Sequence, residues 1–205
     1  MSFSKRVLAA AAAVTLSACA GQSTPSAEPT LPPRAIRVQY PITPPDLPLV
    51  NHEEQPTRLS DFRGRVVLIA FVNLRCRAQP CVQALPIFHA VQRDLGARST
   101  EVAFVLVGVD EREDNPQALK AELAAYSPAF VGVTAPRAVM RELALRFGIH
   151  TYENREGVLV PHAPFLYVLD HRGRLIYFLQ YGLSPQAVAE VIRAVLDEAD
   201  SPVSR

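Results

Sequence analysis

The stretch RVVLIAFVNLRCRAQPCVQALPIFHAVQRDLG, residues 65–96, decides the fold class of this 205-residue chain. Its apolar, β-branched run at residues 66–72 is typical of a strand that is buried on both faces. From residue 81 to residue 95 apolar side chains recur at helical spacing, and Pro80 suits the first helical position. A second apolar run at residues 102–109 follows. The pattern therefore predicts a strand–helix–strand unit whose two strands are parallel.

Three further helices and three further strands are predicted after this unit. They are a helix opened by Asp114-Asn115-Pro116, a strand at 130–133, a helix at 136–147 closed by Gly148, strands at 165–169 and 175–181 joined by a turn at 170–173, and a last helix that Ser184 caps and that ends near 199. Parallel strands with a crossover helix, then an antiparallel hairpin and a final helix, are the thioredoxin-like order. We therefore predict an α/β fold with a central mixed sheet flanked by helices.

Two cysteines lie where the first strand gives way to the first helix. Cys76 follows the strand, and Cys81 falls in the first turn of the helix, so both lie at the sheet edge where α/β folds bind ligands. The helix N-terminus favours a thiolate, and the flanking Arg75 and Arg77 favour the ionised form of Cys76. Because Pro80 biases the residue before it away from the helical region, Cys76 can fold back over the helix start. A disulfide or a shared metal ion is therefore feasible.

The N-terminal residues have the features of an export signal. A basic start at residues 4–6 precedes a short apolar run at 7–16, and that run is shorter than the roughly 20 residues of a spanning helix. The motif Leu-Ser-Ala-Cys that ends at Cys19 resembles the lipobox of bacterial lipoproteins. We expect a signal peptide at 1–18 and a lipid on Cys19. The lipid would anchor the chain to a bacterial cell membrane, with the folded domain facing the periplasm or the exterior. The alternative is an ordinary secretory signal with an incidental cysteine.

The rest of the chain divides into a linker and one domain. Prolines are dense between residues 23 and 48, so we predict a tether at 19–48 and a folded domain at 49–205. The formal net charge is +1, which gives no reason to expect nucleic acid as a partner. If Cys19 carries lipid, Cys76 and Cys81 are the only thiols in an oxidising compartment.

Three stretches of the chain together resemble the SCO/SenC family of copper-binding, thioredoxin-fold assembly factors. They are LSDFRGRVVL at 59–68, VDEREDNP at 109–116 and HAPFLYVLD at 162–170. In that family a Cys-Pro-Asp-X-Cys-Pro loop follows a central strand, and a distant histidine precedes a later strand. The resemblance implies that Cys76, Cys81 and His162 bind copper.

Several residues depart from the family pattern. The cysteine loop is one residue longer and lacks the aspartate, and Pro161 replaces the acidic residue before the histidine. Pro164 stands where thiol-disulfide relatives of the TlpA and ResA type place a cis-proline. These departures move the loop toward redox relatives.

The donor atoms themselves favour copper. Two thiolates and one imidazole suit Cu(I) by softness, and Cu(II) accepts sulfur and nitrogen ligands with an added oxygen. The other four histidines are expected at the surface or in packing contacts: His52, His89, His150 and His171.

Three functions follow from these observations. The resemblance implies a copper chaperone or thiol reductant whose partner is the binuclear copper-site subunit of cytochrome c oxidase, or another periplasmic thiol or copper protein. Such a protein is not an enzyme in the strict sense. The alternative is a thiol-disulfide oxidoreductase in which Cys76 attacks a substrate disulfide and Cys81 resolves the mixed disulfide. A third hypothesis is that Cys76 and Cys81 form a purely structural disulfide. It would close a small loop and stabilise the fold by only about 2 kcal/mol.

Overall fold

The computed structural model describes residues 32, 34–76, 83–153, 159–162 and 165–200, with the backbone alone at 153, 159–162 and 200. Cys19, Cys81, Arg77, Pro80 and Pro164 lie outside the described residues. Within the described ranges, no helix combines the length and the apolar character needed to cross a membrane.

Ten strands and four α-helices make up the described fold. The strands are β1 (Ala35–Ile42), β2 (Leu49–Asn51), β3 (Pro56–Thr57), β4 (Val66–Val72), β5 (Val102–Gly108), β6 (Val131–Thr134), β7 (His150–Glu153), β8 (Leu159–His162), β9 (Phe165–Leu169) and β10 (Leu175–Gln180). The helices are α1 (Ala84–Leu95), α2 (Pro116–Leu123), α3 (Arg137–Arg146) and α4 (Pro185–Asp200).

Eight of the strands form one mixed sheet in the order β1-β10-β9-β4-β5-β6-β2-β3. The central strands β4, β5 and β6 are parallel, and the remaining neighbours are antiparallel. Side chains of α1, α2 and α4 pack on one face, and side chains of α3 pack on the other. The predicted α/β fold with a mixed, helix-flanked sheet is confirmed.

Strand β4 lies at the centre of this sheet. Its alternate residues point to opposite faces, with Val66, Leu68 and Ala70 in the cluster of α1 and α4, and Ile69 and Phe71 in the cluster of α3. Each of these side chains is at most 1% exposed. A strand covered on both faces needs apolar residues at every position, because full burial of one such side chain contributes about 1.5–3 kcal/mol.

The predicted helix ends have identifiable caps. The Asn115 side chain accepts a hydrogen bond from the Ala118 N–H at 2.9 Å, with Pro116 in the first turn of α2. The Ser184 hydroxyl oxygen accepts from the Ala187 N–H at 3.2 Å and caps α4. Gly148 ends α3 with a φ of 69°, a value that favours glycine.

The structure differs from the predicted tether at residues 35–42, which form the edge strand β1 and pair antiparallel with β10. Arg37 holds the strand down, because its guanidinium lies 3.1 Å from the Glu198 carboxylate and 5.7 Å from the centre of the Tyr177 ring. Pro41 is compatible with this strand because an edge strand leaves alternate N–H groups outside the ladder. The prolines in and around residues 35–42 therefore masked the strand signal of the β-branched residues in this segment.

Candidate metal and thiol site

Cys76 lies in a turn just beyond the carboxyl end of β4. Its N–H donates to the Asn73 carbonyl at 2.9 Å, and the Arg75 N–H donates to the Asn73 side-chain oxygen at 2.9 Å. Asn73 is 1% exposed, whereas Cys76 is half-buried. The turn therefore holds the Cys76 backbone against the protein while its side chain remains close to the surface.

A buried carboxylate ties this turn to the loop that follows β5. One oxygen of Asp114 accepts a hydrogen bond from the Leu74 N–H at 2.7 Å, and the other accepts from the Asp110 N–H at 2.9 Å. The Asp114 N–H in turn donates to the Asp110 carbonyl at 2.6 Å. Because parallel strands end at the same edge, one side chain can span both loops. Asp114 therefore positions the loop that carries Cys76.

Gly108 makes room for this carboxylate. A Cβ atom built at Gly108 would lie 2.3 Å from the Cβ of Asp114, which is closer than any tolerated contact. From sequence, Asp114 is expected only at the start of a helix and within the stretch at 109–116 that resembles the SCO/SenC family, with no contact to the Cys76 turn. The available signal was an acidic residue next to a helix cap, in the loop after a buried strand.

Burial raises the pKa of the Asp114 carboxyl to about 6 from its ordinary value of 3.8. Hydrogen bonds from the N–H groups of Leu74, Asp110 and Val109 favour the ionised form and oppose this rise, while the neighbouring Asp110 carboxylate adds to it. The loop beneath Cys76 therefore contains an acid that titrates in the weakly acidic range.

Asp114→Asn should destabilise the domain more at about pH 4 than at about pH 7. The pKa of Asp114 is higher in the folded state than in the unfolded state, so the parent loses stability as pH rises between these two values. The variant lacks this loss, because asparagine does not ionise. It also keeps only one acceptor oxygen for two buried N–H donors, which costs about 1–3 kcal/mol.

Urea unfolding of both proteins across this pH range measures the difference. The destabilisation by Asp114→Asn should shrink by up to about 3 kcal/mol as pH rises, at about 1.4 kcal/mol for each pH unit between the two values. Glu122→Gln, which removes an exposed carboxylate from α2, serves as the control and should follow the parent. Parallel stability curves for parent and Asp114→Asn would contradict the assignment.

Further charged side chains surround the buried Asp110. Its carboxylate accepts from the Arg112 N–H at 3.1 Å and lies 3.6 Å from the Arg112 guanidinium and 3.9 Å from that of Arg137. Arg75 directs its guanidinium to Glu113 at 3.0 Å. The cation that precedes Cys76 in sequence is therefore paired with a carboxylate of the loop that follows β5.

Three of the other histidines lie in packing contacts or at the surface, as predicted. His52 accepts a hydrogen bond from the Gly132 N–H at 3.2 Å, and the ring of His89 packs 6.3 Å from that of Tyr126. His171 lies in the turn between β9 and β10 and lines two surface cavities of about 400 and 430 Å³. One of these lies where β4 and β5 begin, at the opposite end of the sheet from Cys76.

His162 belongs to a hairpin that the sequence did not predict. Strands β7 and β8 form a separate two-stranded sheet in which His162 lies opposite His150, and β8 lies against β4. The structure thus brings the strand that carries His162 to the strand that precedes Cys76.

An aromatic cluster joins the segments that lead to these residues. The Phe71 ring of β4 lies 5.0 Å from Phe147 at the end of α3 and 5.6 Å from Tyr167 of β9. Phe147 and Tyr167 are 5.3 Å apart and nearly perpendicular. Such edge-to-face pairs each contribute about 0.5–1.5 kcal/mol beyond burial. The cluster therefore sets the spacing between the end of β4 and the base of the β7–β8 hairpin.

The predicted ligands are compatible with a soft metal ion in their donor chemistry. Cys76 supplies a half-buried sulfur at the rim, where an ion could be passed to another protein. Among the side chains that the structure describes, no three of the types His, Cys, Asp and Glu lie close enough to hold a metal ion. Cys81 and the His162 imidazole are outside that set, so the predicted ligand set stays a prediction.

The chain matches the family model described as SCO1/SenC over residues 41–197. It is 22% identical over 153 residues to an SCO2-like protein of Rickettsia conorii, covering 72% of this chain and 74% of the relative. The copper-bound structure of Bradyrhizobium japonicum ScoI has a TM-score of 0.66 and 18% identity, covering 75% of this chain and 99% of that one. BsSco, described as having a disulfide switch and as a member of the Sco family of cytochrome c oxidase assembly proteins, has a TM-score of 0.62 and 19% identity, covering 77% and 96%. These likenesses agree with the predicted thioredoxin-like fold.

Proposed function

The chain belongs to the SCO1/SenC family, and from that membership we propose that it is a copper chaperone and thiol-redox assembly factor for the binuclear copper site of cytochrome c oxidase. In this proposal the domain faces the periplasm, and the oxidase subunit that receives copper is its partner. Copper is cargo that the domain takes up and passes on.

One observation carries the proposal. Asp114 fixes the backbone of the turn that leads to Cys76, while the Cys76 side chain is only half-buried. A thiol that must exchange a metal ion with another protein needs both a fixed backbone and a position at the rim. A solved structure of the ScoI relative holds copper, and BsSco is described as having a disulfide switch; both support this function.

In this proposal some residues are metal ligands and others position the ligands. Cys76 and Cys81 provide two thiolates, which alone can hold Cu(I) nearly linearly, and His162 adds the imidazole that Cu(II) favours. Asp114 and Asn73 hold the Cys76 turn through the backbone N–H groups of Leu74, Arg75 and Asp110. This preorganisation lowers the cost of assembling the site.

The same two thiols can act as a reductant. The Cys76 thiolate attacks one sulfur of a partner disulfide and releases the other as a thiolate. The Cys81 thiolate then attacks the Cys76 sulfur, which releases the second partner thiolate and leaves a Cys76–Cys81 disulfide. Two electrons pass to the partner, and its reduced thiols are then ready to receive copper.

Metal analysis of the reduced protein, purified without oxygen and loaded with Cu(I), tests the proposal. We expect one copper ion per chain, and none after both thiols are alkylated. A parent protein that binds no copper but reduces a model disulfide would replace the proposal with a thiol-disulfide oxidoreductase of the TlpA/ResA type.

We also propose that Cys19 is acylated and that the lipid anchors the chain to a bacterial cell membrane, because the Leu-Ser-Ala-Cys motif follows a short apolar run. Mass spectrometry of membrane-extracted protein should find a diacylated or triacylated N-terminus at Cys19. In Cys19→Ser the lipid should be absent and the protein should leave the membrane fraction. An intact Met1 in the mature protein would overturn this proposal.

A further inference from the structure

Two histidines occupy opposite positions in the β7–β8 hairpin. The register pairs His150 with His162, and two residues further along it pairs Tyr152 with Val160. Residues directly opposite in an antiparallel ladder have Cβ atoms about 4.5–5.5 Å apart and share one face. Metal-bound imidazole nitrogens lie about 2 Å from the ion. Two histidines at directly opposed positions of a ladder are therefore suitably spaced to donate to one ion.

The pair lies at the open end of the hairpin. His150 is the first residue of β7 and His162 is the last residue of β8, so both are next to the points where the chain enters and leaves the hairpin. The preceding Ile149 is 2% exposed and belongs to the same core cluster as Phe71 of β4. The base of the hairpin is thus anchored to the strand that leads to Cys76.

The face that carries His150 is open to solvent. His150 is exposed and Tyr152 is 57% exposed, whereas the intervening Thr151 is half-buried. This alternation is that of a hairpin with one face against the protein and one face in water. A metal ion can therefore reach His150 without movement of the core.

From this register and exposure we infer that His150 is a second imidazole ligand, which with His162 forms a two-histidine site for a divalent transition-metal ion at the hairpin base. Its physiological ion is Cu(II) if the proposed function is right, and the inference rests on that function only for the identity of the ion. Imidazole is a borderline ligand that suits Cu(II), Ni(II) and Zn(II), and Cu(II) prefers several nitrogen or oxygen donors. His150 should therefore matter more for Cu(II) than for Cu(I).

Titration of the full chain with Cu(II) tests this inference, with nitrogen coupling in the electron paramagnetic resonance spectrum as a second readout. Parent, His150→Ala and His162→Ala are compared, and His171→Ala serves as the control because its ring lies in a distant turn. His150→Ala should remove one nitrogen from the spectrum. Its loss of Cu(II) affinity should reach or exceed the roughly 10- to 100-fold that loss of an outer partner costs. Cu(I) affinity should change little.

The same titration on Cys76→Ser/Cys81→Ser separates this site from the proposed function. Retained, weaker Cu(II) binding in that double variant, lost again when His150→Ala is added, supports the histidine pair even if the parent proves unable to bind Cu(I). If His150→Ala matches the parent in both Cu(II) affinity and nitrogen coupling, the inference is wrong, whatever the thiols do.

Discussion

Cys76→Ser should abolish tight Cu(I) binding by the reduced domain. A serine hydroxyl is a hard, protonated donor at neutral pH, and one remaining thiolate with one imidazole leaves too few soft ligands. The affinity should fall by more than the roughly 100-fold upper range for loss of an outer-sphere partner. Competition with a Cu(I) chelator of known affinity measures the loss.

Three matched variants are compared with Cys76→Ser in the same Cu(I) competition measurement. Cys81→Ser should behave like Cys76→Ser, and Cys19→Ser should bind Cu(I) like the parent because it keeps both thiols of the loop. His162→Ala should weaken Cu(II) binding more than Cu(I) binding. Unchanged Cu(I) affinity in either loop variant would mean that the copper proposal fails.

Phe71→Ala should cost about 3–5 kcal/mol of unfolding free energy, the usual range for removal of a buried phenylalanine ring. Phe71 is 1% exposed, and its ring contacts both Phe147 and Tyr167. The cavity would open between the end of β4 and the two segments that flank the β7–β8 hairpin. We therefore expect a second effect, a weaker Cu(II) affinity, because the spacing between the Cys76 loop and the histidine pair is loosened.

Phe104→Ala is the control for this second effect. Phe104 is equally buried, but its ring packs against Phe88 and Phe130 in the other core cluster, away from the hairpin. Both variants should lose similar stability in urea unfolding, and among molecules that remain folded only Phe71→Ala should lose Cu(II) affinity. Equal Cu(II) affinities in the two folded variants would contradict a role of the aromatic cluster in site geometry.

Local patterns predicted the elements that this sheet buries. The run at 66–72 indicated a strand buried on both faces, because seven consecutive apolar residues rich in β-branched side chains leave no exposed face. The cap at Asn115 marked the start of α2 within one residue. Strand β1, which exposes the large hydrophobic side chains Ile36, Tyr40 and Ile42, escaped prediction because prolines lie within and around it. Its pairing with β10 is a tertiary event that no local pattern contains.

Some residues of the candidate site could likewise be predicted from sequence, and others could not. Cys76, Cys81 and His162 could be named as candidate ligands from sequence, since residue type and position along the chain are local properties. The role of Asp114 could not, because it depends on two loops that are 40 residues apart meeting at one sheet edge. Desolvation by that meeting raises the pKa of Asp114, and the sequence contains no measure of desolvation.

Sequence patterns alone were sufficient for the α/β class, the order of the central elements, the two-cysteine loop and the resemblance to the SCO/SenC family. These follow from hydrophobic periodicity, caps and motif spacing, which act over a few residues. Tertiary pairing was needed to show that residues 35–42 complete the sheet, that Asp114 holds the Cys76 turn, and that His150 is the strand partner of His162. Each of these depends on strand register and on buried hydrogen bonds between distant segments, which exist only once the chain has closed its core.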